Sequence, residues 1–237
     1  MKMTERRDYI VKYLVKVILA VLVVTLAYVT GAQAVTKVGD IIQFGDWDWR
    51  VLDLQDDRAL IITEHVIERR PYHVEPAHVT WETCILRRYL NGEFLQKFKE
   101  EEQRRIAETS IQNSDNLWFD TKGGKDTTDK VFLLSLEEID RYFGDSGDYQ
   151  NKRRKTYEGQ YPSGKWVPSD GGYAFSNAND SDRIAKHNNQ PPWWWLRSPG
   201  DNSFNAAYVN GDGSVFVYGS IALYDTGGVR PALWLNQ

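Results

Sequence analysis

The chain has 237 residues, 41% of them hydrophobic and 13% aromatic, with nine Trp and thirteen Tyr, enough for one large domain with a substantial core. Charged residues at 26% and a mean hydropathy of −0.54 exclude a polytopic membrane protein and give no reason to read the bulk as disordered. A net charge of −4 argues against a nucleic-acid partner held through phosphates, and the single cysteine, Cys84, excludes an intramolecular disulfide framework or a cysteine-rich zinc site.

Residues 1–34 stand apart. Lys2, Arg6, Arg7, Lys12 and Lys16 outweigh Glu5 and Asp8, an apolar run occupies 17–29, and Ala32-Gln33-Ala34 places small residues where a signal peptidase reads. Thirteen apolar residues rise about 20 Å as a helix, short of a hydrocarbon core of about 30 Å, as in a cleaved signal peptide. The uncharged stretch 17–36 counts 20 residues, long enough for a retained membrane anchor with its basic flank inside. Both readings make residues 35–237 extracytoplasmic, either secreted or held at the membrane by the N-terminal hydrophobic helix.

In the exported part, β-rich runs at 41–44, 49–52 and 59–63 are separated by Gly45-Asp46 and Gln55-Asp56-Asp57, as in an antiparallel meander. Thr80 is placed to cap a helix to Leu90, with Trp81, Ile85 and Tyr89 on one stripe and Asn91-Gly92 to stop it. A second helix over 93–98 should run into a charged, solvated helical surface at 99–105. Residues 130–134 (KVFLL) read as a buried strand, and Ser135 with Glu138 has capping-box spacing for a helix through Phe143. Residues 144–190 are rich in Gly, Asn, Asp and Ser and read as long loops with short strands, one at 173–175. Further strands are expected at 193–196, 206–209, 215–218 and 229–235, with Asn210-Gly211-Asp212-Gly213 as a hairpin turn. The class is α+β, with short antiparallel sheets, two or three helices and long loops.

Few residues carry recognisable chemistry. Cys84 beside Ile85 is expected to behave as a small buried hydrophobe. His73 and His78 are five apart with Pro71 and Pro76 nearby, so no helix presents them together, and HExxH is absent. The oxygen-rich run at 177–182 suits calcium but lacks the EF-hand glycine and terminal glutamate, so a hydrated loop is expected. No phosphate-cradling, GxSxG or SxxK pattern occurs. No catalytic residue, metal ligand or cofactor is assigned, and calcium has no support from a motif. Adjacent Trp193, Trp194 and Trp195 cannot all face one side of a strand. The core should take most of the triplet; the sharper reading exposes one indole for sugar stacking or protein contact.

WRVL at 49–52, TWETC at 80–84, LRRYLN at 86–91, TDKVFLLS at 128–135, WWLRSPG at 194–200 and GVRPAL at 228–233 form an ordered set. As a set they resemble a bacterial domain-of-unknown-function family regarded as C-type-lectin-like and distantly akin to the formylglycine-generating-enzyme fold. The resemblance covers roughly residues 38 to 236 and implies a lectin-like domain over 35–237. Formylglycine generation does not carry over, because Cys84 is the only cysteine and no C-terminal pair exists to hold the metal.

Some members of that family resemble targets of diversity-generating retroelements, in which template adenines are mutated and copied into the 3′ end of the binder's gene. Asparagine codons randomised at their first two bases cannot yield Lys, Glu, Gln, Met or Trp. Residues 201–228 contain none of these five, which together make up 47 of the 237 residues. Small polar residues are also what hairpin loops use in any protein. The Tyr, Asn, Ser and Gly content is that of antibody-type contact surfaces.

These observations point to an exported ligand-binding module. Asn202, Asn205, Tyr208, Asp212, Tyr218 and Tyr224 are expected to touch a surface protein or glycan ligand, with Trp81, Trp194, Trp195, Arg197, Arg230 and Trp234 as scaffold. Two rivals remain. One is an exported glycan-active or cell-wall-active enzyme using an acidic pair, whose separation is a three-dimensional matter. The other is a structural envelope protein.

Overall fold

The computed structural model describes residues 37–144 and 179–237, together with the backbone of the short strand Ala174–Phe175. The hydrophobic helix expected within 1–34 and most of the loop expected at 144–190 lie outside these residues. Among the described residues, no helix is long and apolar enough to cross a membrane.

The described strands are, in chain order, β1 (Ile41–Phe44), β2 (Trp47–Gln55), β3 (Arg58–Thr63), β4 (Glu68–Arg69), β5 (Thr109–Ile111) and β6 (Thr127–Asp129). They continue as β7 (Ala174–Phe175), β8 (Trp194–Pro199), β9 (Asn205–Val209), β10 (Val215–Ile221), β11 (Gly228–Val229) and β12 (Ala232–Asn236). A four-stranded sheet runs β1-β2-β3-β12, a six-stranded sheet runs β4-β11-β8-β9-β10-β7, and β5 pairs with β6 alone. Mixed α+β architecture with small sheets and few helices is therefore observed.

The expected meander forms at the start, with Ile42 opposite Trp49 and Val51 opposite Ile61. The run expected at 229–235 is not one strand. It splits at Arg230-Pro231, where β11 ends in the six-stranded sheet and β12 begins beside β3 in the other. Pro231 has no N–H for a ladder, so a change of sheet there sacrifices no donor. Its carbonyl still accepts from Thr63 N at 3.0 Å.

The helices depart from expectation at both ends. Helix α1 (Ile85–Tyr89) starts at Cys84, whose Sγ accepts from Arg87 N at 3.3 Å, rather than at Thr80. Residues 80–83 instead make a turn, with Cys84 N bonded to Thr80 O at 3.0 Å. That turn lets the Trp81 indole donate to the buried Asp129 Oδ2 at 2.9 Å. Asn91-Gly92 does not stop the chain: it continues as a π turn at Leu90–Phe94 and a 3-10 turn at Leu95–Lys97. Asn91 explains this, because its Nδ2 donates to Arg87 O and Val131 O while its Oδ1 accepts from Lys130 N and Val131 N. One side chain thus stitches the helix to the next segment, and buried Leu90 and Phe94 hold the turn against the core.

Helix α2 (Glu100–Arg105) exposes its charges as expected, and α3 (Leu136–Tyr142) has both halves of the Ser135–Glu138 capping box. A short helix α4 (Asp180–Arg183) interrupts the expected loop. Residues 131–134 are fully buried but do not form a strand. Phe132 makes only an isolated bridge to Ala232, and Leu134 O accepts from Arg197 N at 2.9 Å. An apolar run buried on all sides carries no period that distinguishes strand from crossing segment. Residues Lys37–Gln237 form one compact unit.

Candidate ligand-binding surface

The frame of the surface is β8, β9 and β10. Trp194 lies opposite Val209 and Val209 opposite Val215, while Trp195 lies opposite Tyr208 and Tyr208 opposite Phe216. Opposite residues share a face and successive ones alternate, so these form two rows on the two faces of one sheet. The Trp194 row is entirely buried. Trp194 Nε1 donates to Arg183 O at 3.1 Å, and its ring lies 5.0 Å from the Arg230 guanidinium carbon. Arg230 is fully buried, and its guanidinium donates to the carbonyls of Thr63, Arg183 and Glu64. Burial lowers its pKa to about 10. Arg197 is held differently, by a two-pronged pair with the Glu138 carboxylate and by the Leu133 and Gln112 carbonyls. All six expected scaffold residues, Trp81, Trp194, Trp195, Arg197, Arg230 and Trp234, are buried.

The second row opens toward solvent as it leaves Trp195. Trp195 is covered, its indole donating to Arg70 O at 2.9 Å, but Trp193, Tyr208 and Phe216 are half-buried. Tyr208 stacks on Phe216 with ring centres 4.8 Å apart and meets Trp193 edge-on at 5.1 Å. Burial, with a smaller effect from Asp212, pushes the Tyr208 phenol above its ordinary pKa. Asp212 occupies the expected hairpin turn, exposed. Its Oδ1 accepts from the Ser214 hydroxyl and from Ser214 N at 3.0 Å, which holds its carboxyl below the usual aspartate range. Tyr218 is 41% exposed and lies edge-on to Phe119 at 6.2 Å.

At the other end of these strands, Asn202 and Asn205 both donate to Asp201 Oδ1, and Asn202 Oδ1 accepts from Phe204 N at 2.8 Å. Asn202 is exposed. Asn205 departs from its expected contact role: it is 7% exposed and holds the turn. Gly200 N donates to its carbonyl at 2.7 Å, and any Cβ at Gly200 would stand 2.7 Å from Asn205 Cβ. Tyr224 is 50% exposed, in the turn after β10. Tyr208 and Asp212 thus gather at the hairpin end, Asn202 and Tyr224 at the far end, with Tyr218 between.

The far end also holds side chains that sequence reasoning missed. Phe204 is 42% exposed, Ile221 and Leu223 are exposed, and Val74 joins them from outside the segment at 54% exposure. The loop at 72–79 runs alongside: His73 N donates to Ala222 O at 2.9 Å, Val79 N to Ser203 O at 2.8 Å, and Ala222 N to Phe204 O at 2.9 Å. The His78 ring packs on Phe204 with centres 4.6 Å apart. Within 201–228, a signal for Phe204, Ile221 and Leu223 was present, since large apolar residues stand there among small polar ones. Nothing local marks Val74, whose position depends on a long-range backbone bond.

Several titratable groups elsewhere are buried or paired. Cys84 is buried, and burial pushes its thiol up to about 12, so it carries no thiolate at neutral pH. The inward-facing carboxylates Asp129, Glu138 and Glu64 are held by Arg87, Arg197 and Arg50. In the oxygen-rich run at 177–182, Asp180 pairs with Arg183, and residues 177 and 178 lie outside the described set. Among the described residues, no group of three His, Cys, Asp or Glu is placed to hold a metal ion.

Residues 56–237 match the sequence model of a family described as Domain of unknown function (DUF6273). No curated protein and no solved structure matches the chain. The match spans most of the sequence, including the whole six-stranded sheet, and the chain belongs to this family.

Proposed function

We propose that this DUF6273 member is an exported, lectin-like ligand-binding module, and that residues 201–228 with the loop at 72–79 form its contact surface. The observation that carries this reading is the joint exposure of Tyr218 and Ile221 on β10 and of Phe204, Leu223 and Tyr224 in the turns that flank β9 and β10, beside buried residues of the same strands. Singly exposed apolar residues are ordinary, but contiguous ones mark interaction sites. Val38, Ile41, Leu54 and Ile184 elsewhere are of the ordinary kind. The polar side chains of the segment fix its turns, so the contact groups are preorganised and less ordering entropy is lost on binding.

The diversification reading rests on composition. Every residue of 201–228, exposed or buried, is of a type that an asparagine codon randomised at its first two bases can yield, Phe204, Ile221 and Leu223 included. The flanking Trp194, Trp195 and Trp234 are not.

The test is binding by the full chain, screened against glycan arrays and against purified bacterial and phage surface proteins. Tyr224→Ala is expected to weaken binding by about tenfold, about 1.4 kcal/mol, with an unchanged melting temperature. Tyr224 is a cleaner probe than Tyr218, whose ring also contacts Phe119. Binding that survives both Tyr224→Ala and Phe204→Ala would place the ligand elsewhere. Sequencing the last hundred-odd bases of the gene across a population should show substitutions confined to codons 201–228; a fixed sequence removes diversification and leaves a single specificity.

A further inference from the structure

We infer that the occupant of this surface is a protein face that is apolar at its centre and basic at its margin. The inference rests on the binding reading above and narrows it, setting glycans and anionic polymers aside.

The centre is the far end of the sheet. His73 N to Ala222 O and Ala222 N to Phe204 O, both 2.9 Å, tie three segments together. Val74, Phe204, Ile221, Leu223 and Tyr224 each lie within two residues of those bonds and are exposed. Val, Ile and Leu offer a sugar neither a hydrogen bond nor a π face, yet they match the composition of the dry centre of a protein interface. The neighbouring polar groups are already engaged. Asn202 uses its oxygen on Phe204 N and its amide on Asp201, Asn205 donates to Asp201, and the Ser203 hydroxyl bonds His78 Nδ1. A glycan bound there would find few free partners for its hydroxyls, and each unmatched polar group carries a desolvation cost.

The charges decide the margin. Residues 201–228 contain Asp201, Asp212 and Asp225 and no Lys, Arg or Glu. The loop at 72–79 adds exposed Glu75. The cations nearest in register are Arg69, opposite Gly228, and Arg70, whose backbone N donates to Gly227 O. Arg70 is already paired with Glu68 at 3.0 Å. Exposed Arg69 leaves one positive charge against the carboxylates of Asp201, Asp225 and Glu75, so the edge of the apolar patch is net negative. Like charges across an interface are strongly unfavourable, which disfavours acidic proteins and phosphate-bearing polymers, whereas a Lys- or Arg-rimmed partner gains both specificity and association rate.

The experiment pans the full chain against a phage-displayed library of random twelve-residue peptides, with a glycan array run in parallel. Selected peptides should combine Leu, Ile, Phe or Tyr with Lys or Arg. Their binding should fall about tenfold or more in a Phe204→Ser/Leu223→Ser double variant and weaken as salt rises. A second variant, Glu75→Gln/Asp225→Asn, changes only exposed side chains and should slow association several-fold at low salt with no change in melting temperature. Selection of acidic or purely polar peptides, or salt-independent binding, overturns the inference. Glycan binding abolished by the Phe204→Ser/Leu223→Ser variant also overturns it, while leaving the surface itself as the binding site. If neither peptides nor glycans bind in a way these variants change, the binding reading falls with it.

Discussion

The two rows of residues across β8, β9 and β10 differ by one position in sequence and by their whole environment. Trp194, Val209 and Val215 are sealed into the core, whereas Trp195, Tyr208 and Phe216 run from a covered indole to half-buried rings. Strand alternation alone separates them. A slip of one residue in register would exchange the two rows, so burial of Trp194 also specifies which side chains face outward. The Trp194 row and Trp195 are sealed in the core, while Tyr208 and Phe216 keep part of their rings in solvent. That division of labour is what a contact surface on a rigid frame requires.

Four substitutions test how sharply the rows divide. Trp194→Ala should have the largest effect, about 3–5 kcal/mol of stability, because it opens a cavity and removes the ring facing Arg230. Urea denaturation measures it; a loss near 1 kcal/mol would mean that this row is not the anchor. Arg230→Lys should cost about 1–3 kcal/mol, since an ammonium lacks the planar fork that reaches three separate carbonyls. The same substitution at an exposed arginine such as Arg69 should be near neutral.

Gly219→Ala should follow, at about 1–3 kcal/mol. Gly219 has φ +84°, and a Cβ there would stand 2.5 Å from Ala206 O. It sits where the β9–β10 register shifts, between Phe216 and Ser220, so the loss should be accompanied by changed exposure of Tyr218. Tyrosine-selective labelling would detect that change. Asp212→Asn should have the smallest effect. Hydrogen bonds from Ser214 depress the Asp212 carboxyl, so its contribution is complete above the ordinary aspartate pKa and lost as pH falls through the lower folded value. The variant should therefore differ least from wild type at the acid extreme and most near neutrality, by a small amount because the group is exposed. A difference that grows with acid would contradict the assignment.

Several features were legible because they depend on neighbours in sequence. The meander follows from β-rich runs cut by Gly45 and Asp56, the capping box from Ser135 and Glu138, and the hairpin from 210–213. Their determinants lie within a few residues, where turn geometry and capping act. The six scaffold residues were legible for another reason: large rings and arginines in apolar runs have few places to go except the core.

What the tertiary structure decided has long-range causes. Asn91, expected to end a helix, instead bridges Arg87 and Val131 and carries the chain onward. Residues 131–134 read as a strand by composition, yet their backbone partners lie near 197 and 232 and permit only one bridge. Asn205 has the composition of a contact residue, and only its position beneath Gly200 turns it inward. Val74 comes beside the segment because the N–H of its neighbour His73 bonds Ala222 O, 149 positions away. By itself the sequence determined the class of fold and the buried anchors, and it singled out 201–228 as the segment proposed for contact. Which members of that segment face out, and which distant loop completes it, depended on strand register and on backbone hydrogen bonds between remote segments, neither of which has a local signature.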